Sequence, residues 1–201
     1  MSFTIIIIVV TVLISIAAFN NADMLNKLIL WPRRMDSPAE YYRLLTCGFV
    51  HVDYMHLAFN MITLYFFGRE LEVYFGLLGR PLLFPILYLS GIVASSLPSY
   101  IRHKDNSYYR SLGASGGVAA IIFSAIYFSP WTRIYIIVLP LPAILFAVGY
   151  LLYSAYMDKH GSDNIGHNAH FWGAVYGFVF TLLFDPTHGR IFFEQLMHPS
   201  F

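Results

Sequence analysis

The sequence predicts an all-α, polytopic membrane protein built as a bundle of six transmembrane helices, and two observations carry that prediction. The first is composition. The 201 residues are 58% hydrophobic and only 11% charged, with a mean hydropathy of +0.61. A soluble domain carries about 25% charged residues, so this chain lacks the polar side chains to cover a water-facing surface. The second is length patterning. A hydrocarbon core about 30 Å thick needs roughly 20 mostly apolar helical residues, and six stretches approach that. Net charge is +1 and the pI is near 7.9, which gives no electrostatic case for a nucleic-acid partner. Cys47 is the single cysteine, so no internal disulfide forms. The chain reads as one membrane domain over 1–201, with the lipid bilayer as its solvent.

The first span is 3–19, FTIIIIVVTVLISIAAF, which has no Lys or Arg before it and so reads as a retained helix rather than a signal peptide. The second runs over about 54–70 and continues as an amphipathic helix toward Phe75. The third covers 81–101, the fourth 115–129, the fifth 133–157 and the sixth 169–184, closed by Asp185-Pro186. Pro140 and Pro142 predict a bend in the fifth. Residues 20–53 are too many for a plain turn and predict a structured first loop. There, LNKLILWPRR mixes apolar and basic residues, with Trp31 suited to the headgroup layer. SPAE then offers a capping box, with Ser37 as N-cap, Pro38 at the first helical position and Glu40 at the third.

Polar groups inside spans are costly, and each is a functional candidate. His56 and Asn60 lie in the second span, Ser115 opens the fourth and His170 opens the sixth. Successive spans alternate direction, so the first turns of even-numbered spans share one side of the membrane and can meet in one shallow cavity. A serine hydroxyl becomes a nucleophile when a neutral imidazole takes its proton. His56 and Asn60, spaced i, i+4, share a helix face and can donate to an oxyanion, as can the backbone N–H of Ser115 in the first helical turn. Gly173 and Gly177, like Gly116 and Ala120, form small-xxx-small pairs that permit close helix packing. Packing of the fourth span on the sixth would bring Ser115 to His170.

At these residues the sequence resembles the rhomboid family of intramembrane serine proteases, from about residue 40 to 185. GASG at 113–116 matches G-x-S-G, AHFWGAVYG at 169–177 matches A-H-x-x-G-x-x-x-G, and HVDYMHLAFN at 51–60 matches H-x-x-x-x-H-x-x-x-N. The resemblance implies a rhomboid-like bundle in which Ser115 is the nucleophile, His170 the general base, and His56, Asn60 and the Ser115 backbone the oxyanion hole. It implies that Gly113, Gly116, Gly173 and Gly177 serve close packing. It further implies that Glu72, in GRELEVYFG, helps hold the loops, and that Tyr42-Arg43 takes the place of the first loop's aromatic-Arg pair. It implies transmembrane protein substrates, cut beside small residues in helices that unwind easily, no cofactor and no metal, and a bacterial inner membrane. Ala119 departs from the pattern: many bacterial relatives carry there a tyrosine that packs on the catalytic imidazole. Charge departs too. On the active-site side lie Lys27, Arg33, Arg34, Arg43, Arg102, Lys104, Arg110 and Lys159, against Arg69, Arg80, Arg133 and Arg190 opposite, counter to the positive-inside rule if that side faces outward.

Three other readings compete. A metal site would gather His51, His56, His167 and His170, although the H-E-x-x-H of intramembrane metalloproteases is missing. A non-catalytic rhomboid-like protein would escort membrane clients, but typically loses the serine or the histidine, and both are here. A small transporter would need polar groups reaching both faces. No carboxylate is obviously placed to hold His170: Asp53, Asp158 and Asp163 read as solvated. The fifth span and the 158–168 loop are the expected gate.

Overall fold

Apolar stretches bounded by Asn, Asp and Pro become helices whose ends are capped by those same residues. The computed structural model describes residues 2–136, 139–161 and 166–199. Helix α1 spans Phe3–Phe19, α2 Ala22–Leu28 and α3 Arg43–Thr46. Then come α4 (Tyr54–Leu77), α5 (Leu83–His103), α6 (Ser115–Phe128), α7 (Ala143–His160), α8 (His167–Phe184) and α9 (Pro186–Met197). Asp53 caps α4 by accepting from the His56 N–H at 2.7 Å. Asp185 caps α9, with Pro186 at its first position.

Six helices, α1 and α4 to α8, stand where the six spans were expected. Among the described residues only α5 is both long and apolar enough to cross a membrane on length and composition alone, with α1 and α6 apolar but shorter. The predicted count of six spans therefore has a single clear instance. Large apolar side chains nevertheless point outward along several helices, among them Leu13, Phe66, Leu152 and Leu183, each about two-thirds exposed or more. Such surface is a liability in water and natural against lipid.

Helix α6 is the axis of the bundle. Every residue from Gly116 to Phe128 is buried, as expected of a helix that is apolar all round. It packs most extensively on α8, with α4 and α5 on other sides. The α6–α8 contact is backbone on backbone. A Cβ on Gly177 would meet the Ala120 Cα at 2.5 Å and its carbonyl oxygen, and one on Gly173 would meet the Gly116 carbonyl. Deeper in the same contact Ser124 and Thr181 share a hydroxyl hydrogen bond at 2.5 Å.

Four expectations are corrected. Residues 133–136 and 139–142 are not helical: Arg133–Ile136 (β1) and Leu139–Pro142 (β2) pair antiparallel, Arg133 opposite Pro142 and Tyr135 opposite Pro140. A proline inside a helix loses a hydrogen bond and clashes with the preceding turn. Two prolines spaced two apart can instead both turn their missing N–H away from a partner strand. The fifth helix accordingly starts only at Ala143. The capping box at Ser37 does not close. Pro38–Glu40 is a single 3₁₀ turn without a side-chain cap, and the Glu40 carboxylate accepts from Arg43 Nε at 2.6 Å instead. Asp158 is not merely solvated: both its oxygens accept from Arg102 Nη1 at 2.8 Å, tying α7 to α5. Glu72 holds a helix rather than loops. Its carboxylate accepts from the N–H groups of Phe3 and Thr4 and from the hydroxyls of Ser2 and Thr4, at 2.7–3.1 Å. Those N–H groups open α1, where no intrahelical acceptor exists and negative charge is favoured.

The first loop is pinned by Arg43, which is 5% exposed. Besides the Glu40 ion pair it donates to the carbonyls of Asn26 at 2.7 Å and Ile29 at 3.2 Å.

Candidate active site

The site begins with a helix that is too short. Fourteen residues make α6 about 21 Å long, against a hydrocarbon core of about 30 Å. A helix of that length cannot reach both surfaces, and Ser115 is its first residue. Ser115 lines a pocket of about 170 Å³ with Asn60, Thr63, Ala119, Tyr150 and His170, closed by Phe59, Val118 and Ile122. Helices α4, α6, α7 and α8 each contribute. Ser115 and His170 thus face one cavity, as the parity of the spans predicts. A larger recess of about 260 Å³, lined by Ser129, Pro130, Trp131, Thr132 and Gln195, has no ionisable lining.

Asn60 is 6% exposed and also faces the pocket. Its Nδ2 donates one hydrogen to the His56 carbonyl at 2.9 Å, one turn back on α4; an amide nitrogen has a second to give. His56 is not among the lining residues. Its ring packs against Gly113, where an added Cβ would meet His56 Cε1 at 2.5 Å, and edge-on against His51 with centroids 5.0 Å apart. Gly113 has φ of +120°, a conformation that L side chains rarely adopt. Glycine there meets two demands at once, backbone geometry and room for the imidazole. Gly116 meets a third: a Cβ on it would strike the Ser95 side chain of α5.

The loop that delivers Ser115 is held by His51, which the sequence offers only as the first residue of a motif and as a candidate metal ligand. The Ala114 N–H donates to His51 Nε2 at 3.2 Å. With Nε2 accepting, the ring proton sits on Nδ1 and donates to Ser15 Oγ at 3.0 Å, and the Ser15 hydroxyl donates to the Phe49 carbonyl at 2.9 Å. The relay runs one way only if His51 is neutral. Burial first, and then the neighbouring His56 imidazole, press its pKa from the ordinary 6.5 to about 3, against the upward pull of Asp53.

The surroundings of His170 answer the question raised by Ala119. That alanine is buried beside the pocket. An aromatic ring arrives from another helix: Tyr150 of α7 stacks on His170 with centroids 6.0 Å apart and planes 24° apart. Tyr150 is itself held against Phe123 and Phe146. His167 approaches His170 edge-on at 6.0 Å. Two residues before His170 in the same first turn, Asn168 donates to Ser99 Oγ at 3.0 Å and so fastens the start of α8 to α5. Tyr150, Ser15 and Asn168 were missed from sequence because each acts across a helix boundary, with no local motif to mark it. The histidines form two separate pairs, and no three His, Cys, Asp or Glu gather around one point among the described residues. Part of the expected gate, 162–165 with Asp163, lies outside the described residues.

Comparison with known proteins agrees with the motifs. The family model described as Rhomboid domain matches residues 38–186. The chain is 31% identical over 173 residues to "RHOMBOID-like protein 12, mitochondrial" of Arabidopsis thaliana, covering 78% of this chain and 50% of that protein. It is 30% identical over 179 residues to "RHOMBOID-like protein 5" of the same plant, covering 83% and 52%. To "Rhomboid protease GluP" of Bacillus subtilis (strain 168) it is 34% identical over 88 residues, covering 44% and 16%. The chain thus spans about half the length of the first two relatives. Their plant origin and the word mitochondrial do not support the expected bacterial inner membrane. With motifs, helix order and family match in agreement, this chain belongs to the rhomboid family of integral membrane proteins.

Proposed function

We propose that the chain is an intramembrane serine endopeptidase that cuts a peptide bond in or beside a transmembrane helix of another membrane protein. The observation that carries this reading is the shared pocket of Ser115, His170 and Asn60 at the start of a buried helix of 14 residues. Ser115 Oγ attacks the substrate carbonyl carbon as the His170 imidazole takes the hydroxyl proton. The resulting oxyanion is stabilised by the Ser115 N–H, which has no acceptor in its first helical turn, and by the second hydrogen of Asn60 Nδ2. Collapse of this intermediate breaks the C–N bond, and the imidazolium gives its proton to the leaving amine. Water, activated by the same imidazole, then releases the acid product and regenerates Ser115. Tyr150 orients His170 by stacking. His56, packed on Gly113 and buttressing His51, shapes the loop before the serine and reaches the oxyanion only through a ring rotation.

A non-catalytic role in binding membrane clients is the second reading, favoured by the rhomboid-like names of the longest-matching relatives. A serine-directed phosphonate separates the two. Labelling that is lost in Ser115→Ala and survives a chelator supports the peptidase. Labelling that persists without Ser115, or is absent in the unmodified protein, overturns it.

A further inference from the structure

Two arginines enclose one tryptophan on the side of the bundle where Ser115 lies. Arg34 Cζ stands 3.7 Å from the Trp31 ring centre and Arg110 Cζ stands 3.9 Å from it. Two guanidinium planes that close to one centroid overlap sterically on a single face, so they occupy opposite faces. The ring's negative quadrupole offsets the repulsion of bringing two cations together. The ring is fixed in turn. Trp31 Nε1 donates to the Ser107 carbonyl at 3.3 Å, and next to it Leu30 and Ser111 exchange two backbone hydrogen bonds of 3.0 Å. The sandwich therefore joins the first loop to the segment leading into GASG, four residues ahead of Ser115.

Both guanidinium groups have exposed, unused donors. Neither Arg34 nor Arg110 has a hydrogen bond or ion pair with any described residue, and both are exposed. Three carboxylates on this side are engaged elsewhere, Asp36 with Arg33 at 3.4 Å, Glu40 with Arg43, and Asp158 with Arg102, while Asp105 in the Arg110 loop makes no ion pair among the described residues. Eight of the twelve Lys and Arg residues lie on this side of the bundle. A rigid pair of forked donors without an anion, beside an aromatic ring suited to the interface, matches a phosphate oxygen cluster. In an integral membrane protein the phosphates held at that level are those of lipid headgroups.

We propose that Arg34, Trp31 and Arg110 form a binding site for the phosphate of an anionic phospholipid headgroup, which fastens the first loop to the loop that carries Ser115. The proposal rests on family membership and not on the proteolytic reading.

The test uses the full chain with Trp131→Phe and Trp172→Phe, leaving Trp31 as the only tryptophan. Short-chain phosphatidylglycerol is titrated into the protein in phosphatidylcholine–detergent micelles while Trp31 emission is followed. The expected result is a saturable change whose midpoint rises at least fivefold in Arg34→Gln/Arg110→Gln and rises with added salt. Arg34→Lys/Arg110→Lys, which keeps the charge and loses the fork, is expected between the two. Inorganic phosphate at the same concentrations leaves the emission unchanged. A midpoint that is identical in the glutamine variant overturns the proposal. So does inorganic phosphate acting as well as the lipid, which would make the site one for free anions. An Asp/Glu-rich peptide that displaces the lipid at lower concentration than other anions also overturns it, in favour of a substrate's acidic flank.

Discussion

Replacing Tyr150 tests whether the ring across the pocket does the work that Ala119 cannot. Aromatic pairs with centroids 4.5–7 Å apart contribute about 0.5–1.5 kcal/mol beyond the area they bury. At 6.0 Å and 24° the Tyr150–His170 pair lies in the outer half of that distance range, so about 1 kcal/mol is the working value. If that energy serves to hold the imidazole for proton transfer, Tyr150→Leu lowers kcat about fivefold (RT is about 0.59 kcal/mol) while KM changes little, because the reacting geometry and not uniform binding is lost. Tyr150→Phe keeps the ring and keeps kcat within about twofold. Placing the ring on α6 instead, in Ala119→Tyr/Tyr150→Ala, recovers part of the loss, since both positions line the same pocket. The assay is cleavage of a reporter transmembrane segment in vesicles, with folded fraction measured alongside. Unchanged kcat in Tyr150→Leu refutes the stacking role. Equal losses in the leucine and phenylalanine variants would assign the effect to the hydroxyl and refute it as well.

His51 supplies a pH prediction. Its pKa in the folded protein, about 3, lies below the ordinary 6.5, so the folded state resists a proton that the unfolded chain accepts. The stability it contributes is complete above 6.5 and is lost as pH falls from there toward 3. At pH 5 the loss approaches roughly 2 kcal/mol. Thermal unfolding at pH 7 and pH 5 is expected to differ less in His51→Gln than in the unmodified protein, and equal differences would contradict the Ala114–His51–Ser15 relay. Packing gives a paired prediction. Gly177→Ala drives a Cβ into the Ala120 backbone and is expected to cost about 1–3 kcal/mol. Gly149→Ala on α7, with nothing within 4 Å of its Cβ, gains up to about 1 kcal/mol of helix propensity. The reverse order in thermal unfolding would contradict the α6–α8 contact.

The sequence made the long helices and the shared pocket legible because both arise from local rules. Apolar length marks α1, α5 and α6, and alternation of direction brings Ser115 and His170 to one side. What escaped depends on three-dimensional competition for partners. The carboxylate of Glu40 fits a capping box by spacing, yet the guanidinium of Arg43 takes it. Glu72 lies almost seventy residues from the N–H groups it satisfies, a distance that no spacing rule spans. Pro140 and Pro142 read as a bend within a helix, whereas pairing with Arg133–Ile136 makes them strand residues of a hairpin. The support of His170 by Tyr150 rests on how α7 sits against α8, which single-helix periodicity does not encode.

The central claim is that one hydroxyl, on Ser115, performs peptide-bond cleavage within the membrane. Its most direct measurement is cleavage of a reporter transmembrane segment in liposomes containing the full chain, unmodified or with Ser115→Ala, each shown to be folded. The account predicts discrete products with the unmodified protein and none above background with Ser115→Ala. Equal cleavage by the two proteins, or intact reporter with both, would contradict it.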